Sequence, residues 1–206
     1  MRSLITSVSD DAIGRFALNR LKDYGVDTKY VKTISGECRT SLAIYESTLD
    51  NFQNVIYRNN AADFQVEIAD VDLVHYNNYS AIITAGTVFA SEPSRSSTFH
   101  AIENARQARI PEIFDIDYRP YSWSSPEIAS DVLTQAGKQS DLLIGNDEEF
   151  DFMAGGIKEG LNVAERLAKK SERIVIYKMG SKGAITFASG KEIHTGIFPA
   201  APIKPN

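Results

Sequence analysis

Short apolar runs alternate with longer stretches of helical period along most of this chain. Leu4 to Val8 is a β-rich run leading into Ser9-Asp10-Asp11. Either aspartate can cap a following helix that carries Ile13, Phe16, Ala17, Leu21 and Tyr24 at helical spacing, with Gly25 as its stop. From Lys29 to Asn60 the pattern changes: Ser41 to Tyr45 and Gln53 to Arg58 are β-rich and flank a turn at Leu49-Asp50-Asn51, which predicts a hairpin inserted as a lid or dimerisation flap. After Ala61 the alternation becomes regular. Strands are predicted at Ile82 to Thr84, Ile110 to Asp115, Leu142 to Gly145 and Ile174 to Lys178, and helices at Ser94 to Arg109, Pro126 to Gly137 and Ile157 to Lys170. Ala184 to Ala188 and Lys191 to Thr195 then form a hairpin around Ser189-Gly190, and the segment from Pro199 to Asn206 reads as a loop. Strand-helix-strand repetition of this kind predicts a right-handed, mostly parallel sheet with helices on both faces.

Composition narrows this picture. The chain has 206 residues, 43% hydrophobic and 24% charged, which suits a single domain with a sizeable core. It contains no apolar stretch long enough to span a bilayer, so no membrane partner is expected. The opening Met1 to Ser7 lacks the long apolar region of a signal peptide, and a lone Cys38 cannot close an internal disulfide; a reducing cytoplasm is the expected setting. A net charge of −5 argues against a nucleic-acid-binding surface. The three histidines, His75, His100 and His194, are scattered without metal-ligand spacing and read as structural or surface residues. A first strand with nothing before it reads as an interior strand of a longer domain.

Chemistry concentrates where strands run out, which is where ligands bind in open α/β sheets. Asp115, Asp117 and Arg119 alternate past one strand, within Asp115-Ile116-Asp117-Tyr118-Arg119-Pro120-Tyr121-Ser122-Trp123, so all three can face one way. They could organise Mg²⁺ waters, a substrate hydroxyl and a carboxylate or phosphate, or they could be a surface ion pair over packed aromatics. Asn146 and Glu149 lie three apart after the next strand and suit either metal-bound waters or a helix cap. Lys178-Met179-Gly180-Ser181-Lys182-Gly183 lets backbone amides approach an anion, or forms a tight turn before the next strand. Tyr57-Arg58-Asn59-Asn60 ends the lid, where Arg58 could close over an acidic sugar or blunt an edge strand.

Taken in order, these clusters resemble the ribokinase (PfkB) family of carbohydrate kinases over essentially the whole chain. Val8 to Gly14 with Tyr24 to Thr28 is similar to the segment leading to the family's lid, with Ser9 where many members have Gly. Asp115-x-Asp117-x-Arg119 followed by Trp123 resembles its Asp-x-Asn-x-Arg pattern, with Asp117 in the Asn position; Asn146-x-x-Glu149 resembles its magnesium and phosphate motif, and Lys178 to Gly183 its nucleotide-site turn. Within the family, the Tyr57 to Ala62 element and the Ile116 to Trp123 run are most similar to members acting on keto-deoxy sugar acids. The resemblance implies a ribokinase-like three-layer α/β sandwich with a small β lid at about residues 29–60, forming one incomplete domain over residues 1–206. It also implies ATP and Mg²⁺ as cofactors and a sugar-acid substrate. It assigns Arg39, Tyr57, Arg58, Asp117 and Arg119 to the substrate, Asn146, Lys178, Gly180, Ser181 and Gly183 to the nucleotide, and Glu149 to the metal. A homodimer through the lid is one assembly it allows. The family's Gly-Ala-Gly-Asp motif, which supplies the anion hole and the catalytic base, does not occur in the sequence. The chain is therefore expected to be an internal fragment without a catalytic base of its own, either inactive alone or a non-catalytic module that binds nucleotide or sugar.

Overall fold

The structure, a computed structural model, describes residues 2–45, 54–156, 158–171 and 173–199. The predicted lid turn at Leu49-Asp50-Asn51, the predicted helix start at Ile157 and the last residues, from Ala200, lie outside the described residues. Three sheets are formed among them. The largest has six strands in the order β10-β9-β8-β7-β6-β5. Its parallel part is β5 (Ile82–Ala85), β6 (Glu112–Asp115), β7 (Leu142–Asn146) and β8 (Ile174–Lys178). It is closed by the antiparallel β9 (Ala184–Ala188) and β10 (Lys191–Thr195). The β9–β10 turn falls on Ser189 and Gly190, both at positive φ (51° and 73°), as the twist of a tight hairpin demands.

Between the parallel strands run α3 (Ser94–Gln107), α4 (Pro126–Gln139), then α5 (Asp147–Met153) and α6 (Gly160–Ser171). Helix α4 starts as a good N-terminus should: Pro126 occupies the first turn and the Ser125 hydroxyl accepts the Ile128 amide at 3.3 Å. Parallel strands joined in simple sequence order by crossovers of one hand carry their helices on one side. Among the described residues α3 to α6 therefore share one face of this sheet, where the sequence pattern predicts helices on both. Accordingly Phe114, Leu143 and Val175 are fully buried in one cluster with Ile102 of α3, Leu133 of α4, Phe150 of α5 and Ala164 of α6. The opposite row of the same strands, Ile83, Ile113, Leu142 and Ile174, is in register but only partly covered, and Ile83 is 73% exposed.

At the other end of the chain β1 (Ser3–Ser9) pairs in parallel with β2 (Asp27–Ile34) around α1 (Ala12–Asp23). Asp11 is the cap, its Oδ1 accepting the amides of Ile13 and Gly14 at 2.9 Å, and Gly25 follows at φ +70°. Strand β2 corrects the sequence expectation that everything from Lys29 onward belongs to the lid. The lid proper is the antiparallel pair β3 (Leu42–Tyr45) and β4 (Asn54–Tyr57). Helix α1 keeps its expected apolar face, but Ile13 and Phe16 on it are exposed. The β1–β2 unit joins the body through a second small core, in which Ile5 and Tyr30 pack against Val66, Val71, Val74 and Tyr76. A hydrogen bond from the Tyr79 hydroxyl to Ser3 Oγ at 2.7 Å adds to this joint. A short helix, α2 (Ile68–Asp72), carries Asp70, which binds Lys32 of β2 at 3.0 Å.

Candidate functional site

The carboxyl ends of β6, β7 and β8 meet at one edge of the sheet. Because side chains alternate along a strand, Asp115, Asn146 and Lys178 all lie on the partly covered face, and Asn146 is directly opposite Lys178 in register. Lys178 Nζ reaches across β7 to Asp115 Oδ1 at 3.7 Å.

Beyond Asp115 the strand does not continue as its alternation suggested. Ile116 is fully buried and its amide donates to the Ile144 carbonyl at 2.9 Å, but Asp117 then turns into the left-handed region at φ +36°. Few residues other than glycine tolerate that conformation, aspartate and asparagine being the usual exceptions. The turn takes Asp117 out of line with Asp115. Asp117 Oδ1 pairs with Arg119 Nη2 at 2.6 Å, while Asp115 pairs with Lys178. Arg119 Nη1 also donates to the Tyr118 carbonyl at 3.3 Å. The Tyr118 ring stacks on Phe152 of α5, with centroids 3.8 Å apart and planes 13° from parallel.

Asn146 and Glu149 form a complete capping box: Asn146 Oδ1 accepts the Glu149 amide at 2.8 Å, and Glu149 Oε2 accepts the Asn146 amide at 2.8 Å. The other carboxylate oxygen, Oε1, accepts the Tyr118 amide at 3.2 Å. Glu149 is only 6% exposed, and burial pushes its carboxyl up, against the pull of the Asn146 amide and the Lys178 charge. Among the described residues no cluster of three or more acidic, histidine or cysteine side chains could by itself enclose a metal ion. With both Glu149 oxygens already accepting amides, the arrangement suits a cation held through water by the Glu149 and Asp115 charges, and does not suit direct ligation.

Gly180, Ser181 and Lys182 make a single tight 3-10 turn between β8 and β9, closed by the Met179 amide on the Gly183 carbonyl at 2.8 Å. Gly180 and Gly183 sit at φ +55° and +88°, and a Cβ on Gly183 would lie 2.0 Å from the Thr195 carbonyl oxygen. Both glycines are thus required by the turn itself, and Ser181 is exposed at its tip.

On the lid, Tyr57 is exposed at the end of β4. Arg58, which follows it, is held by the body: its Nε and Nη2 donate to Asp63 Oδ2 at 3.0 and 2.5 Å, and its guanidinium lies 4.2 Å from the Phe64 ring centroid. Asp63 Oδ1 accepts the Ser41 hydroxyl at 2.6 Å, so one carboxylate ties down both legs of the lid. Asp63 was missed in the sequence because it lies five residues after Arg58 in no helical or strand spacing. Arg39 is exposed and donates to the carbonyls of Gly36 and Cys38, and its residue bridges to Ala61.

The model of the pfkB family carbohydrate kinases matches residues 2–205. The chain is 34% identical over 205 residues to a 5-dehydro-2-deoxygluconokinase of Geobacillus kaustophilus and 32% identical over 206 residues to one of Clostridium beijerinckii, covering 97% of this chain in each case. It spans 61% of the length of those relatives. Among solved structures, a PfkB protein from Polaromonas sp. JS666 superposes with a TM-score of 0.86 at 21% identity, over 96% of this chain and 67% of its own. A Vibrio cholerae O395 fructokinase crystallised with fructose, ADP and calcium ion gives 0.81 at 24% identity, over 98% and 65%. These two likenesses establish the ribokinase-like fold, a mostly parallel sheet with helices and a small antiparallel lid. With the match running along nearly the entire sequence, this chain belongs to the PfkB family of carbohydrate kinases.

Proposed function

We propose that the protein to which this sequence belongs transfers a phosphoryl group from ATP to the terminal hydroxyl of a sugar acid, 5-dehydro-2-deoxygluconate, in the cytoplasm and as a step of myo-inositol breakdown. The observation that carries this reading is the meeting of Asp115, Asn146, Lys178 and the Asp117–Arg119 pair at the carboxyl ends of three adjacent parallel strands. Phosphoryl transfer is mostly positioning and charge neutralisation, and these groups supply both. The relatives named 5-dehydro-2-deoxygluconokinase support the substrate over other sugar acids, 2-keto-3-deoxygluconate among them.

In this reading Arg39, Tyr57, Asp117 and Arg119 meet the sugar acid, and Arg58 serves it by holding the lid to the body through Asp63. Asn146, Lys178 and the Gly180-Ser181-Gly183 turn serve the nucleotide phosphates, and Glu149 orders the waters of a nucleotide-bound Mg²⁺ that neutralises phosphate charge. A homodimer through the lid is supported by the exposed Leu42, Ile44, Val55 and Tyr57 on β3 and β4. The acceptor hydroxyl still needs a base within hydrogen-bond reach. The family places it in a Gly-Ala-Gly-Asp motif that these 206 residues do not contain, which supports inactivity of the chain alone. The same lack favours a second reading, a nucleotide- or sugar-binding module without turnover.

The test follows ADP release with ATP, Mg²⁺ and a panel of acidic and neutral sugars, using this chain and a version extended to the length of the relatives. The extended protein should turn over 5-dehydro-2-deoxygluconate in preference to fructose, and the 206-residue chain should turn over neither. Preference for neutral sugars would overturn the substrate. Turnover by the short chain would overturn the assignment of the base.

A further inference from the structure

Glu149 makes one contact that neither a metal role nor a helix cap accounts for. Its Oε2 completes the cap on Asn146, but its Oε1 leaves α5 altogether and accepts the backbone amide of Tyr118 at 3.2 Å, in the loop after β6. That loop holds Asp117 at φ +36° between two anchors. Before it, the Ile116 amide is fixed on the Ile144 carbonyl of β7 at 2.9 Å; after it, Tyr118 is fixed by the Glu149 carboxylate. A non-glycine residue is kept in the left-handed region only where its surroundings over-determine it, and these two anchors do so. The Tyr118 ring, stacked on Phe152, adds a second hold from the same helix.

We propose that Glu149 is a positioning residue: its carboxylate bolts the Asp117–Arg119 loop to the start of α5, so that the sugar side and the phosphate side of the site keep one fixed relation. This deepens the kinase reading and rests on it for its purpose, but the contact can be tested without activity. A carboxylate can accept two amides at once through its two oxygens, whereas a carboxamide has one acceptor and turns an NH₂ towards the other donor. Glutamine is a good capping-box residue, so Glu149→Gln keeps the local cap and gives up the Tyr118 amide. Asn146→Ala does the reverse, removing the acceptor of the Glu149 amide and leaving both carboxylate contacts in place.

The experiment is residue-resolved amide hydrogen exchange by NMR on the 206-residue chain and the two variants, with the emission of Trp123, the sole tryptophan, as a second reporter in the same loop. In the unmodified chain the Tyr118 amide should be protected although it lies outside regular secondary structure. Glu149→Gln should speed its exchange by about tenfold or more, as loss of a hydrogen bond to a charged acceptor implies, and shift the Trp123 emission. Asn146→Ala should speed exchange of the Glu149 amide and leave Tyr118 within about twofold. Equal effects of the two variants on Tyr118 would reduce Glu149 to a cap and overturn the proposal. So would an unprotected Tyr118 amide in the unmodified chain, a measurement that stands even where Glu149→Gln fails to fold. None of these readouts depends on substrate or nucleotide, so failure of the bolt is distinguishable from failure of the kinase reading.

Discussion

Glu112 should make the chain less stable as pH rises from acid to neutral. It is the first residue of β6, 3% exposed, at the end of the sheet away from the candidate site. Its Oε1 accepts the Thr84 hydroxyl at 2.9 Å, but Oε2 is buried with no hydrogen-bond partner among the described residues. Burial pushes the carboxyl from 4.5 up to about 7; the Thr84 hydroxyl pulls it down, the nearby Asp141 charge pushes it up, and Arg106 and Arg173 pull it down. Arg173 acts on it only through its charge: its Nη1 and Nη2 donate to the carbonyls of Gly137 and Lys138, and its Nε is buried without a hydrogen-bond partner among the described residues. Below pH 4.5 the group is protonated in folded and unfolded chains alike, and its contribution to stability is fully present. Between 4.5 and about 7 the unfolded chain ionises and the folded one does not, so stability falls with rising pH; above about 7 the loss is complete and flat. At ~1.4 kcal/mol per pH unit, that window is worth about 3 kcal/mol. Urea denaturation followed by circular dichroism from pH 4 to 8.5, on the chain and on Glu112→Gln, isolates the effect because glutamine cannot ionise. The two proteins should be similarly stable near pH 4, and the variant should be the more stable by about 3 kcal/mol at pH 8. A difference that does not change with pH would refute the reasoning.

Two further perturbations probe how the site is held. Gly86 packs against the backbone of the site loop, and a Cβ there would lie 1.9 Å from the Ile116 carbonyl oxygen and 2.7 Å from Leu133 Cδ2. Gly86→Ala should therefore cost about 3 kcal/mol, at the upper end for overpacking, because backbone must move; an unchanged urea midpoint would show that the loop yields freely. Asp63→Ala should release both legs of the lid, since Arg58 and Ser41 share that carboxylate, and should speed amide exchange in β3 and β4 far more than in β6 to β8. A uniform increase across both regions would mean that Asp63 serves the body and not the lid.

Much of the fold was written in local patterns. Strands β6, β7 and β8 are short apolar runs cut off by Asp115, Asn146 and Lys178, and those polar residues mark both the strand ends and the site. The cap at Asp11, the stop at Gly25 and the Ser189-Gly190 hairpin were legible because each depends on a side chain or a φ preference a few residues away. Strand β2 was not. Asp27-Thr28-Lys29-Tyr30-Val31-Lys32 mixes polar and apolar residues, and only its parallel partner β1, more than twenty residues earlier, makes it a strand. The left-handed Asp117 was equally hidden, since sequence alternation carried Asp115, Asp117 and Arg119 straight on while a carboxylate some thirty residues away held Tyr118 in the turn.

The same limit governs the charges of the site. Sequence order brought Arg58 and Arg119 forward as free hands for a substrate carboxylate, yet each is already paired. Arg58 has given Nε and Nη2 to Asp63, whose other oxygen is held by Ser41, and the Phe64 ring covers its face; the pair is 15% and 24% exposed. Freeing it would strand a half-buried carboxylate, which is costly. Arg119 pairs with its neighbour Asp117 in a more open setting, 46% and 28% exposed, where water screens the attraction and an exchange of partners costs little. On the sugar-acid reading, the incoming carboxylate therefore displaces Asp117 from Arg119, and the displaced Asp117 becomes free to accept a sugar hydroxyl. On the same reading Arg58 acts by holding the end of the lid to the body through Asp63. Discrimination between acidic and neutral sugars should accordingly fall on Arg119→Ala, and Arg58→Ala should weaken both substrate classes alike.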